Sequence, residues 1–296
     1  MMITGAVCPA TGVLAAVGVA GVAYAAYRTK IKPAAALFAG VTALIFAAQM
    51  TNFPILDGTS GHLLGATLAV ALLGSAFGIM AMSLVVITQC LVFADGGISV
   101  LGANLLNIAL LASLPAVLVR ELLFRESLSA MSKNSMYVAA AFLSTLVAAT
   151  ACAVQLAIAG VSPIQAVLPA MLYYHALIAV AEAGLTLALL AVLAQAAVKV
   201  GSQWAWMVPL GLATVVAVII SPFGSGSPDG LMSVAGALGF ADLAGEFFVA
   251  PVDYVVSAVT SEVLATAIAG FIGITLVFAV AYGTGRAFAQ SEERSA

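Results

Sequence analysis

Of the 296 residues, 64% are hydrophobic and 7% charged, and the formal net charge is −3. Soluble domains carry about 25% charged residues, so a water-soluble enzyme or binding domain is excluded; with no basic patch, so is a nucleic-acid binder. Apolar runs of about 17–25 residues recur, so the fold expected is an all-α integral membrane protein of about nine transmembrane helices in a lipid bilayer.

The opening MMITGAVCP carries no basic side chain and leads into a long apolar run. A cleaved signal peptide starts basic and ends at a small-residue site, so the N-terminus is expected to be retained. Helices are then expected near Ala10–Tyr27, Pro33–Met50, Gly61–Leu73, Ser75–Phe93, Ile98–Val119, Met136–Gly160, Ile164–Val198, Trp206–Ile220 and Glu262–Arg286. The third is about 20 Å long at 1.5 Å per residue, short for a span, and reads as a half-helix meeting a loop that dips into the membrane. Cys8, Cys90 and Cys152 are odd in number and far apart, and imply no disulfide framework.

All 9 basic residues fall in four places: Arg28/Lys30/Lys32, Arg120/Arg125/Lys133, Lys199 and Arg286/Arg294. With the N-terminus outside, each lands in the cytoplasm, and loops 51–60, 94–97, 161–163 and 221–261, which lack Lys and Arg, land outside. The C-terminus is then cytoplasmic. Asp57, Asp95, Asp229, Asp242, Glu246, Asp253 and Glu262 gather at the outer face, a mild bias toward cations. From Ser221 the composition shifts to SPFGSGSPDG and then a weakly amphipathic segment to Tyr254. The chain is expected to divide into residues 1–203 and a second module at 204–296.

The stretch Gln49–Asn107 concentrates polar, turn-forming residues between membrane-length apolar runs, which is costly unless they line a cavity. Ser60 or Thr59 is expected to cap a helix starting near Gly61. That would put His62 in the first turn, where the helix dipole favours the neutral, metal-ligating ring. A loop histidine bonded to backbone is the other reading. His175 and Glu182, seven apart on one helix face, read as structural hydrogen-bonding groups, with a lining or partner-coupling role as the alternative. Asp95, Asn104 and Asn107 read as caps and braces of a turn before direct binders. No Walker A run occurs, since no lysine follows a glycine, and active transport would need another chain's ATPase.

The runs AAQMTNFPILDGTSGHLLGA, FADGGISVLGANLLN and HALIAVAEAGLT (175–186) resemble the CbiM/NikM substrate-capture proteins of energy-coupling factor (ECF) nickel and cobalt transporters. The resemblance covers roughly residues 1–200. PDGL at 228–231, followed by a loop and a last helix, is similar to the CbiN/NikN accessory module, here fused. The resemblance implies a seven-helix S-component core with a two-helix C-terminal module. It also implies a transmembrane coupling (T) subunit and two ATPase subunits as partners.

In that family the metal sits in a square-planar nitrogen site. The ligands are the N-terminal amine, the backbone nitrogen and imidazole of a histidine at position two, and the Gly-His-Leu imidazole. Carried over, Met1 supplies the amine and His62 the loop imidazole, while Met2 departs from the family histidine. Four nitrogens suit Ni(II) or Cu(II); a thioether from Met2 or a thiolate from Cys8 would be softer. Met232 also departs, standing where the family often has Glu.

The function expected is a membrane permease subunit for nickel or cobalt uptake, a transporter subunit rather than an enzyme. Its metal ligands would be Met1, Met2 and His62, braced by Asn52, Ser60, Asp95 and Asn104. The ion is substrate, and no resident cofactor is expected. Three other readings stand beside it: the same scaffold carrying a non-metal solute, a coupling or structural subunit that binds nothing, and an intramembrane enzyme using His175 and Glu182.

Overall fold

Between Val7 and Tyr27 the chain carries alanine and glycine every few residues and no charge, which favours a helix that can lie close to a neighbour. In the computed structural model, which describes residues 6–125, 130–243 and 259–293, this run is α1 (Val7–Arg28). There follow α2 (Ala35–Gln49), a hairpin of β1 (Phe53–Pro54) and β2 (Ser60–Gly61), α3 (Ala66–Leu73) and α4 (Ser75–Phe93). α5 (Leu101–Asn104) runs on through π-helical turns to Leu111, then come α6 (Leu114–Arg125), α7 (Ala130–Ile158) and α8 (Ile164–Val200). α9 (Met207–Thr214) continues to Phe223, and α10 (Gly230–Leu238) and α11 (Glu262–Glu293) close the described chain.

Among the described residues, six helical stretches are long and apolar enough to cross a bilayer: Val7–Arg28, Ser75–Phe93, Ile98–Leu122, Ser132–Ile158, Ile164–Ala196 and Glu262–Gln290. Two shorter apolar ones, Ala35–Gln49 and Met207–Phe223, join them. With the half-length α3, the apolar segments expected from sequence are present in order in an all-α membrane fold. The amphipathic segment expected to reach Tyr254 lies outside the described residues beyond Leu243.

α3 differs from expectation at its start. It begins at Ala66, not Gly61, because Gly61 pairs with Phe53 in the hairpin and Gly65 sits at φ 81°, a left-handed geometry that stops a helix from passing. At eight residues it is about 12 Å long, and loop 50–65 carries the chain to its buried start. The reversal into α4 takes one residue, Gly74, at φ 86° and ψ 167°, which only glycine adopts easily. The two helices then run close together: a Cβ on Gly78 would lie 2.7 Å from the Val70 Cα.

α2 is the central helix, buried almost throughout from Phe38 to Ala47. Phe38 meets Phe77 of α4 edge-on at 5.6 Å, and Phe46 meets Phe93 at 5.4 Å. α9 and α11 cover α2 elsewhere, at glycines: a Cβ on Gly40 would lie 2.8 Å from Trp206 O, and one on Gly285 would lie 3.0 Å from the Ala35 Cα. Such small-residue contacts let backbones approach where lipid supplies no hydrophobic drive. A second cluster joins Val7 of α1, Val100 and Ala103, Ala153 and Leu156 of α7, Val167 and Met171 of α8, and Val234 and Ala235 of α10. Asn107 does not brace the 94–97 turn; its amide exchanges two hydrogen bonds with Gln155 of α7, at 2.9 and 2.7 Å.

Candidate functional site

The sequence FPILDGTSG makes a tight hairpin because Asp57-Gly58 supplies the turn, with Gly58 at φ 69°. Ile55 N donates to Thr59 O at 2.7 Å, and Phe53 and Pro54 pair with Gly61 and Ser60. From this hairpin His62-Leu63-Leu64-Gly65 runs inward to α3. Gly61 is pressed against α8, where a Cβ would meet Ile178 Cγ1 at 2.9 Å.

The inward run is held by a clamp. Glu182 of α8, fully buried, accepts Leu64 N–H at 2.5 Å and Gly65 N–H at 2.9 Å. Gln49 Nε2 donates to Leu64 O at 2.7 Å. A backbone group left unpaired at this depth costs several kcal/mol, against about 0.6 kcal/mol for an average interhelical side-chain hydrogen bond. The clamp therefore matters chiefly by satisfying two backbone donors and one carbonyl that would otherwise be orphaned.

His62 is half-buried and lies beside this clamp, its Nδ1 3.2 Å from Leu63 O. With Nδ1–H donated there, Nε2 carries the lone pair that can ligate a metal. Ser60 and Thr59 do not cap a helix, which corrects the sequence expectation and removes His62 from a first helical turn. Instead the C-terminal part of the chain straps over them. Ser60 N–H donates to Pro228 O at 2.8 Å and Ser60 Oγ to Ser227 O at 2.7 Å, while Thr59 Oγ1 lies 2.9 Å from Ser233 Oγ. Asn52 joins the same strap through its carbonyl, which accepts Ser225 N–H at 2.8 Å.

The strap ends in α10, capped by Asp229, whose carboxylate accepts Met232 N–H at 2.7 Å. Its first residue abuts His175. That ring gives Nδ1–H to Met171 O at 2.8 Å, and has Asp229 and His62 as its ionisable neighbours. A Cβ on Gly230 would lie 2.9 Å from His175 Cε1 and 3.2 Å from Nε2. Gly230→Ala should therefore loosen the strap, since overpacking costs about 1–3 kcal/mol. Amide exchange at Ser60 is expected to rise about tenfold while that of α4 holds; an unchanged Ser60 rate would show that the strap tolerates the methyl.

His175 and Glu182 thus serve different partners and do not bond each other. Asp95 is exposed in the turn after α4, its N–H returning to Gln89 O at 3.1 Å. A side chain on Gly96 would collide with the Asn104 amide, so these residues form a second grouping about that turn. Met1 and Met2 lie outside the described residues. Among the described residues no group of three or more His, Cys, Asp or Glu side chains is placed to hold a metal ion.

Sequence reasoning missed the partners of Glu182, Gln49 and the 225–233 strap. For Glu182 the available signal was one carboxylate in mid-run of a long apolar helix, which demands a partner without naming it.

Comparison with known proteins gives one consistent answer. A fused nickel transport protein assignment, NikMN, is carried by an Archaeoglobus fulgidus relative that is 37% identical over 218 residues, 71% of each chain. The cobalt transport protein CbiM of Clostridium cellulovorans is 38% identical over 87 residues, 29% of this chain and 34% of that one. A crystal structure of a truncated transition metal transporter superposes with a TM-score of 0.57 at 25% identity, covering 66% of this chain and 96% of the other. Residues 1–200 match the family described as the cobalt uptake substrate-specific transmembrane region, and the chain belongs to this CbiM family.

Proposed function

We propose that this chain is the substrate-capture subunit of an ECF-type transporter that imports divalent nickel or cobalt. The observation carrying the reading is the clamped inward loop, in which one half-buried imidazole, His62, stands in sequence between Ser60, held by the 225–233 strap, and Leu64-Gly65, held by Glu182 and Gln49. A single imidazole with no carboxylate or thiolate cluster about it among the described residues suits a borderline ion held by nitrogen donors. Met1, with its amine, and Met2 are the further donors proposed. Asn52 and Ser60 fix the hairpin, and Asp95 and Asn104 brace the neighbouring turn. Residues 1–203 form the capture unit and 204–296 the accessory module. Because the sequence has no Walker A run, a coupling subunit and two ATPase subunits supply the energy.

Metal content of the purified protein after growth in nickel, cobalt or copper tests the reading. Nickel, cobalt or copper retained above the level of a His62→Ala control supports it; none under any condition favours a non-metal solute or a subunit that binds nothing. Orientation is a separate test. The distribution of Lys and Arg puts the N-terminus outside and the C-terminus in the cytoplasm. In a cysteine-free background, Leu56→Cys is expected to react with an impermeant maleimide from outside and Gln290→Cys only after permeabilisation. Labelling of both from one side overturns the topology.

A further inference from the structure

α3 is a short helix buried within the bundle, and both its ends are met by ionisable side chains from other helices. At its start Glu182 takes the Leu64 and Gly65 N–H groups. At its end Arg120 of α6 places Nη1 3.4 Å from both Val70 O and Ala71 O. The guanidinium lies across the Gly74 reversal, where a Cβ would be 3.4 Å from Nη2. An acidic side chain at the N-terminus and a basic one at the C-terminus is the order that the helix dipole favours. Free backbone groups at both ends of a half-helix must be satisfied by protein at this depth.

Between the two ends α3 has little freedom. Ala66 to Val70 are buried, Thr67 Oγ1 lies 3.0 Å from Ser144 Oγ of α7, and Val70 backbone packs on Gly78. A shift at the Arg120 end is therefore carried along about 12 Å of helix to the loop. We propose that Glu182 and Arg120 are positioning residues for His62, holding α3 as a strut that sets the loop from both ends. Glu182 acts on the loop directly, and Arg120 acts from the far end of the helix. Coupling of this kind is reciprocal, so the state of the Arg120 end and the readiness of the loop bias each other.

The metal part of the test rests on the proposed function; the exchange part does not. Full-length protein in lipid nanodiscs, without metal, is followed by amide hydrogen exchange in the wild type and in Glu182→Ala, Arg120→Met and Arg120→Lys. Arg120→Met should speed exchange across residues 61–68 by about tenfold, the size of a ~1.4 kcal/mol cap, with α2 and α7 unchanged. Arg120→Lys, which keeps the cation, should restore it. Nickel titration should show about tenfold weaker binding for Arg120→Met and a greater loss for Glu182→Ala. If Arg120→Met loosens only residues 70–74, or Arg120→Lys does not restore the loop, the strut is wrong. Should Glu182→Ala not fold, the two Arg120 variants decide alone. If the wild type binds no nickel, the metal reading falls while exchange still judges the strut.

Discussion

A His62→Ala variant is expected to lose metal uptake and to bind nickel about 100-fold more weakly, a loss of ~2.7 kcal/mol, whereas His175→Ala should change affinity by less than about threefold. The two rings are electrostatic neighbours, and the difference lies in what holds each. His62 bonds only its neighbour's carbonyl, Leu63 O, at 3.2 Å, on a loop fixed by Glu182 and Gln49. His175 bonds its own helix at Met171 O and fills the space left by Gly230. Removing it should disturb the strap before the site. Equilibrium titration of both purified variants, with exchange in α2 and α4 as a folding control, measures the split. Equal losses in two well-folded variants would put both rings in one site and overturn the division of roles.

How much of this was legible in the sequence depends on the range of the interactions. The apolar segments were, because hydrocarbon imposes their length locally. So was a polar loop at 51–60, where Asp57-Gly58 and the nearby His62 stand out in a chain with 7% charge, though its pairing as a hairpin was not. The start of α3 was not. GHLLGATLAVALL reads as continuous helix, and only the pairing of Gly61 with Phe53 and the left-handed Gly65 end it. Ser60 looked like a cap because cap propensity is local, yet its partners, Ser227 and Pro228, lie more than 160 positions away along the chain. Glu182 reaches Leu64 and Gly65 over a separation of 117 to 118 residues. The PDGL turn was partly legible: Asp229 has the chemistry of an N-cap, but the need for glycine at 230 appears only once His175 is packed against it.

Met2→His is expected to raise nickel affinity by about 10- to 100-fold, or ~1.4–2.7 kcal/mol, in a protein expressed to start at Met1. Histidine at this position can close a fused chelate through the terminal amine, its own backbone nitrogen and its imidazole, leaving the fourth position for His62. Methionine offers a flexible thioether, from which divalent nickel in a planar nitrogen field gains little. The natural sequence should accordingly bind nickel weakly, with relatively better retention of a softer ion such as copper. Residues added before Met1 should erase the gain, because the amine would then be an amide displaced from the chelate. The double variant Met2→His/His62→Ala gives the sharper reading. If residue 2 and His62 share one ion, the gain at position 2 should shrink when His62 is removed, a coupling that independent sites would not show. Titrations with nickel, cobalt and copper, with and without an N-terminal extension, separate these cases. No change in any affinity on Met2→His would place the N-terminus away from the ion and leave His62 without the amine and backbone nitrogen that the capture reading requires.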